Sequence, residues 1–258
     1  MSNYLYEVWI CFLAGAGAGI GTGFAGMSAA TVITPMVVSS LGVDAYDALV
    51  IALASDVLAS AVSACTYARN KSIDIRNGLV MMVSVLVMTT VGSWLSSLVP
   101  SSALGNTSVL MLVLLGLKFL ILPVTSTRRT MEGESLAIRV LKGILGGSVI
   151  GLVCGFFGAG GGMMMLLVLT VVLGYELKTA VGTSVFIMTF SALTGAVSHV
   201  AMGSRPQFDL LVLCILFTLG WAQVAARIAT RASTLLLNRM TGAVLTVLGV
   251  VLIVINYC

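Results

Sequence analysis

Charged residues are scarce in this chain. They make up 9% of its 258 residues, whereas 59% are hydrophobic, and the mean hydropathy is +1.13. Soluble domains carry about 25% charged residues, because a polar surface must enclose their core. The composition therefore excludes a soluble globular fold and predicts an integral membrane protein.

The residue patterns of common catalytic and metal sites are also missing. The chain has one histidine and five cysteines, and it contains no HExxH, no GxxxxGK[ST] phosphate loop and no CxxC pair. We therefore predict that it is not an enzyme and not an ATP-driven pump, and that it holds neither a metal nor a cofactor. The net charge of +4 is modest and lies in loops, so no nucleic-acid partner is predicted.

What the chain has instead is a series of apolar stretches. Each is close to the ~20 residues that an α-helix needs to cross the hydrocarbon core of a bilayer. They lie at residues 8–26, 46–68, 78–98, 107–124, 143–163, 180–202, 208–226 and 240–257. We expect an all-α polytopic protein with about eight transmembrane helices, embedded in the lipid bilayer of the cell (inner) membrane.

A gapless internal repeat relates the two halves of the chain at an offset of 132 residues. The matching positions are the glycine-rich elements 15–26 and 147–158, then Leu41-Gly42 and Leu173-Gly174, then Ala48 and Ala180. Duplicated helices that are interrupted at corresponding places point to the binding site of a transporter. We therefore expect the site at the two interruptions.

A short apolar segment follows the first span of each repeat. Residues 28–41 and 160–173 are too short to cross the membrane and too apolar for a loop, so we expect half-helices. We assign residues 1–124 to the first transmembrane repeat, 125–142 to a charged linker and 143–258 to the second repeat. With four spans in each half, the repeats are expected to be parallel and related by an axis along the membrane normal.

The break before each half-helix has the composition of an anion site. At the second break, Gly160, Gly161 and Gly162 are consecutive. Each glycine within a helix costs roughly 1 kcal/mol relative to alanine, so a break explains them better than a continuous helix. The free N–H groups and the positive dipole end of a half-helix bind an anion without a basic side chain. We expect substrate contacts from Met27, Ser28, Ala29, Gly158, Gly160, Gly161 and Gly162. Close helix packing is the alternative reading of the glycines that precede each break.

Two titratable residues are candidates for proton coupling. Asp56 is a lone carboxylate within an apolar stretch, where an acid costs about 2.5 to 3.5 kcal/mol on insertion scales. Its alternative role is structural, as the ion-pair partner of Lys118 in the fourth span. His199 ends the sixth span, and an imidazole changes charge near neutral pH, although solvation at the interface would also account for it.

The second half resembles the signature of the sulfite exporter TauE/SafE family of membrane permeases. The resemblance lies in Gly151-x-x-x-Gly155-Phe156-Phe157-Gly158-Ala-Gly160-Gly161-Gly162, Leu173-Gly174, Ala180-Val-Gly-Thr183-Ser184, His199 and Phe208-Asp209. It implies transport of small sulfur-containing anions, and it implies that Thr183 and Ser184 complete the coordination of the anion. The alternative for these two hydroxyls is a bond back to their own helix. The first half departs from the pattern at Ser28-Ala29-Ala30 and at Ile51-Ala52, which leaves the choice of anion open.

The distribution of basic residues favours cytoplasmic termini. Loops after the second, fourth and sixth spans carry Arg69, Lys71, Arg76, Arg128, Arg129, Arg139, Lys142 and Arg205, and the other loops carry Lys178, Arg227, Arg231 and Arg239. Cytoplasmic loops are enriched in Lys and Arg, so the first set is expected inside.

Taken with the resemblance, these features predict a secondary transporter, of the exporter type, for sulfite or organosulfonates. Alternating access by rocking of the two halves is the expected mechanism. An anion channel and a carrier of small carboxylates are the alternatives, and the oligomeric state, including a homo-oligomer, is left open.

Overall fold

The structure is a computed structural model that describes residues 2–96, 113–114, 116–124, 135–157, 165–201 and 204–257. Its regular elements in these ranges are helical. The α-helices are α1 (Ser2–Ala25), α2 (Ala30–Leu41), α3 (Ala45–Arg69), α4 (Ile75–Ser96), α5 (Leu136–Phe157), α6 (Leu177–Ala201), α7 (Phe208–Arg231) and α8 (Thr234–Tyr257). Residues 116–121 are helical as well, and residues 165–167 continue into a π-helical turn, Val168–Val172.

Apolar length identifies the membrane-crossing helices. Five of the described helices, α1, α3, α6, α7 and α8, are long and apolar enough to cross a bilayer. Large apolar side chains also face outward, for example Trp9, Val83 and Val197, each about 60% exposed. An outward apolar surface fits contact with lipid. The chain is therefore a multi-pass helical membrane protein, and the predicted total of eight spans stays a prediction because residues 97–112 lie outside the described part.

Two glycine stripes let pairs of helices approach closely. On α1, a Cβ at Gly15, Gly19 or Gly23 would lie 2.5 to 2.6 Å from an atom of α7. On α5, a Cβ at Gly147 or Gly151 would collide with a backbone carbonyl of α4. The packing explanation for these glycines is therefore correct, since any larger side chain would push the helices apart.

The chain turns back on itself after α1. Met27 N–H donates to the Gly21 carbonyl at 3.3 Å, and a Cβ at Gly17 would lie 3.2 Å from Val32 on α2. These contacts make α1 and α2 an antiparallel hairpin. Because the two helices run antiparallel, the hairpin begins and ends toward the same end of the bundle. The returning helix α2 is about 18 Å long at 1.5 Å per residue.

Contacts between helices define two ends of the bundle. The near end holds the start of α1, residues 42–47 and residues 204–209; the far end holds residues 69–76, the starts of α5, α6 and α8, and the end of α7. The contacts that establish the near end are Ser204 Oγ and Arg205 N to Asp47 Oδ1. Those of the far end are Tyr175 to Asp74, Lys178 Nζ to Thr230 O, and Val124 N to Asn238 Oδ1.

The directions of α3 and α6 correct the predicted symmetry. These helices occupy matching places at the 132-residue offset, yet they run antiparallel: Gly182 lies against Tyr67, and Gly195 lies against Leu53. Helices related by an axis along the membrane normal would run parallel, so the prediction of parallel repeats is wrong. The reason is the α1–α2 hairpin, which returns the chain to the near end before α3 begins.

Both short helical segments end in the same way. Gly42 follows α2 with φ 66°, and Gly174 follows the 165–172 segment with φ 68°. A left-handed residue at this place ends a helix, and glycine adopts it without a steric penalty. The predicted half-helix 28–41 is present as α2, and the described part of the predicted half-helix 160–173 is helical.

Candidate functional site

The helix break after α1 is buried, and hydroxyl groups satisfy its carbonyls. Each donor comes from a different helix: Tyr67 of α3 to Gly23 O at 2.8 Å, Thr241 of α8 to Phe24 O at 3.0 Å, Ser184 of α6 to Gly26 O at 3.0 Å, and Thr22 of α1 to Met27 O at 2.8 Å. Backbone carbonyls at membrane depth need such partners because no water replaces them. The interruption after α1 is therefore a stable part of the fold, and side chains from four helices hold its backbone in place.

Gly26 makes the turn itself. It has φ 60°, and a Cβ there would lie 3.0 Å from both Cβ and Oγ of Ser184. A side chain at this position would meet both backbone strain and a collision. The adjacent Met27 is fully buried, so this predicted site residue lies inside the protein at the turn.

The N-terminal end of α2 holds a carboxylate. Ser28 Oγ accepts from Ala30 N–H at 3.3 Å and donates to Asp56 Oδ2 at 2.7 Å. Ser60 Oγ donates to Asp56 Oδ1 at 2.9 Å, and the backbone of Ala29 also hydrogen-bonds to this carboxyl group. Asp56 is 1% exposed. The predicted site residues Ser28 and Ala29 therefore meet Asp56, and a carboxyl group of the protein itself lies at the positive end of the half-helix.

The ion pair considered for Asp56 and Lys118 is not formed. Lys118 Nζ lies 4.5 Å from the centre of the Phe119 ring, and among the described residues Asp56 and Lys118 form no ion pair. Hydroxyl and amide groups, and not a cation, therefore hold the buried carboxylate.

Thr183 and Ser184 are buried and hydrogen-bonded to backbone groups of other segments. Thr183 Oγ1 accepts from Asp74 N–H at 3.2 Å, and Ser184 donates to the Gly26 carbonyl. The alternative of a bond back to their own helix does not describe these contacts. Both residues are fully buried, and Ser184 directly touches the first helix break. Gly158, Gly160, Gly161 and Gly162 lie outside the described residues.

A second buried carboxylate, Asp74, joins the far end of α3 to the start of α6. Its carboxyl group accepts from Asn77 N–H at 3.1 Å and from Tyr175 Oη at 2.7 Å. In the first contact Asp74 is the N-cap of α4, because its side chain accepts from the N–H group three residues later. Sequence reasoning did not assign this role, although an Asp directly before an apolar helix is an N-cap signal. His199 lies at the other end of α6, so the structure does not bring it into the Asp74 cluster.

Comparison with known proteins identifies the family. Residues 11–252 match the family model described as sulfite exporter TauE/SafE. The chain belongs to this family. It is 26% identical over 154 residues to the probable membrane transporter protein YunE of Bacillus subtilis (strain 168), covering 55% of this chain and 56% of YunE. It is 23% identical over 209 residues to the probable membrane transporter protein YdhB of the same organism, covering 81% of this chain and 85% of YdhB.

Family membership gives the general class of the protein. Members of the TauE/SafE family are membrane transporters, so the chain is a multi-pass membrane transporter and not an enzyme. The match to YunE spans only about half of that relative, and both relatives carry a general transporter name. These two names therefore do not identify a substrate.

Proposed function

We propose that the protein is a secondary transporter of small sulfur-containing anions such as sulfite or organosulfonates, acting at the cell (inner) membrane by alternating access. The observation that carries this proposal is the buried N-terminal end of α2, where Ser28 and Ala29 meet the Asp56 carboxyl group and Ala30 N–H donates to Ser28. A half-helix end inside a membrane protein binds anions through N–H groups and its dipole. Export is the direction that the family description implies.

The substrate in this proposal lies between the two helix breaks. Met27, Ser28 and Ala29 contribute the first, and Gly158 with Gly160–Gly162 contribute the second, as the sequence repeat predicts. Thr183 and Ser184 lie on α6, which contacts the first break through Ser184 and Gly26. This contact supports a role for α6 in transmitting movement of the break to the rest of the second half.

The two halves form an inverted pair in this proposal. The antiparallel contact of α3 with α6, the matched glycines 42 and 174, and the reciprocal packing of α1 on α7 and α5 on α4 support it. Inverted repeats provide two conformations that expose one site to opposite sides of the membrane by exchanging the shapes of the halves.

The helix directions also favour an orientation with both termini outside the cytoplasm. Among the described residues, the far end carries nine basic residues, Arg69, Lys71, Arg76, Arg139, Lys142, Lys178, Arg227, Arg231 and Arg239. The near end carries only Arg205, together with the acidic residues Glu7, Asp44, Asp47 and Asp209. The excess of Lys and Arg marks the cytoplasmic side. This replaces the expectation of cytoplasmic termini, because Lys178 and Arg227–Arg239 lie at the same end as Arg69–Arg76.

Flux into proteoliposomes tests the function. The purified protein should carry labelled sulfite, thiosulfate or an alkylsulfonate with saturable kinetics, and the same anions should raise its melting temperature by binding the folded state. Preferential flux of acetate and other small carboxylates would support a carboxylate carrier instead. Flux that does not saturate and exceeds carrier turnover would support an anion channel.

A further inference from the structure

We propose that Asp56 is a tethered occupant of the anion site, so that a substrate anion binds at the end of α2 only after Asp56 takes up a proton. This inference rests on the proposed function and specifies its coupling. In the structure, the carboxylate of Asp56 receives hydrogen bonds from Ser28 and Ser60, one to each oxygen, at the helix end where an external anion would bind.

The hydrogen-bond pattern suits a carboxylate anion as the occupant. Ser28 Oγ accepts the Ala30 N–H, so its own proton is directed to Asp56. Ser60 and the Ala29 backbone complete the set. An ionised carboxylate is acceptor-only and suits several donors, whereas a protonated one must donate from one oxygen. In this proposal the helix end therefore already holds one negative charge.

Among the residues that the structure describes, no cation lies close enough to Asp56 to offset that charge. α2 contains no titratable side chain. The charged and titratable side chains of the other helices that pack on α3 include Glu7 and Cys11 on α1, Lys178 and His199 on α6, and Asp209, Cys214, Arg227 and Arg231 on α7. Of these, the acidic and basic ones lie toward the ends of their helices. On α3 itself, Asp47, Cys65 and Arg69 are at least two turns from Asp56, and Tyr67 donates to Gly23 O. A second anion at the same helix end would therefore meet repulsion from Asp56 with no compensating charge.

Proton uptake removes the conflict. A hydronium ion transfers a proton to one Asp56 oxygen: an O–H bond of the hydronium breaks, an O–H bond of the carboxyl group forms, and a water molecule is released. The Ser28 hydroxyl and the Ala29 backbone N–H, which point at Asp56 in the structure, are then released to bind the substrate anion. Substrate and proton enter the site together, in a ratio of one to one. The second half supplies no second carboxylate at the matching position, because Met188 stands 132 residues after Asp56.

This coupling constrains the direction of transport. Co-transport of one proton with one monoanion moves no net charge, so the anion gradient and the pH gradient together set the direction. A more acidic exterior favours import, and export then requires a cytoplasmic excess of the anion that is larger than the proton gradient.

The test measures anion binding and flux as a function of pH. Thiosulfate and an alkylsulfonate are the probes, since both keep a constant charge between mildly acidic and mildly alkaline pH. The unmodified protein should bind them more tightly as pH falls, and an acidic exterior should accelerate uptake into proteoliposomes. Asp56→Asn should bind at alkaline pH as tightly as the unmodified protein binds at acidic pH, with flux independent of the pH gradient.

Two further variants separate coupling from structural capping. Ser60→Ala removes a donor to the ionised carboxylate, so the pH midpoint of anion binding should move upward while binding at acidic pH is kept. Asp209→Asn is the matched control, an exposed carboxylate of α7 at the near end, and it should leave the pH profile unchanged. The Ser60→Ala midpoint decides the matter if Asp56→Asn does not fold.

The outcomes distinguish the two proposals. If the probes bind and cross the membrane but Asp56→Asn keeps the pH profile of the unmodified protein, Asp56 is only a helix cap and this inference is overturned, whereas the transport function stands. If none of the probes binds or crosses at any pH, the proposed function fails and the inference fails with it.

Discussion

At the scale of single residues, hydroxyl groups hold the broken helix together. Tyr67, Ser184, Thr22 and Thr241 each donate to a carbonyl between residues 23 and 27. A hydroxyl-rich site in a transporter is readily taken for a substrate shell. Here these four hydroxyls are engaged with backbone carbonyls, so they support the broken helix and are not free to bind a ligand.

We expect Tyr67→Phe to lower the stability of the protein by about 1–2 kcal/mol. The substitution keeps the fully buried ring and removes only the hydroxyl that donates to Gly23 O at 2.8 Å. Thermal unfolding in detergent, followed by circular dichroism, measures the change. Tyr4→Phe is the control, because Tyr4 is exposed; equal melting temperatures for the two variants would show that the Gly23 carbonyl does not depend on this bond.

The sequence singled out Asp56 as a candidate for proton coupling, but it did not predict the groups that Asp56 contacts. A lone acid in an apolar stretch is visible from composition and insertion cost alone. Its partners are not, since Ser28 lies 28 residues away and reaches Asp56 only because the α1–α2 hairpin lays the start of α2 against α3. Lys118 was the structural partner considered from the sequence, and the packing of the helices places Lys118 over Phe119 instead.

At the scale of helices, the small residues decide which helices touch. Gly15, Gly19 and Gly23 lie on one face of α1 because their spacing is four residues, and this face meets α7. Periodicity therefore predicted a packing stripe correctly. It could not name the partner helix, because every apolar helix of the bundle offers a similar surface.

Gly19→Ala should destabilise the protein by about 1–3 kcal/mol through overpacking. The added Cβ would lie 2.5 Å from Thr218 O and 2.8 Å from Ala222 N, which are backbone atoms of α7 that cannot move aside alone. Gly220→Ala is a matched control in α7, where a Cβ has no neighbour within 4 Å. There the better helix propensity of alanine should leave the melting temperature unchanged or raised. A Gly19→Ala protein as stable as Gly220→Ala would contradict the close approach of α1 and α7.

At the scale of the whole molecule, one local feature sets the topology. Hydropathy locates apolar segments but carries no sign of direction, so the sequence predicted half-helices and still assigned the wrong symmetry to the halves. The turn at Gly26 reverses the chain, and every later helix inherits that reversal. The same step moves Lys178 and the Arg227–Arg239 region to the end that holds Arg69.

Cysteine accessibility in intact cells tests the resulting orientation. In a background without native cysteines, Gln207→Cys at the near end and Asn70→Cys at the far end place single thiols at exposed positions. If the basic far end faces the cytoplasm, as the excess of Lys and Arg predicts, a membrane-impermeant maleimide should label Gln207→Cys in intact cells. Asn70→Cys should react only after the membrane is permeabilised. Labelling of Asn70→Cys alone in intact cells would place the termini in the cytoplasm, and labelling of both thiols would contradict their location at opposite ends of the bundle.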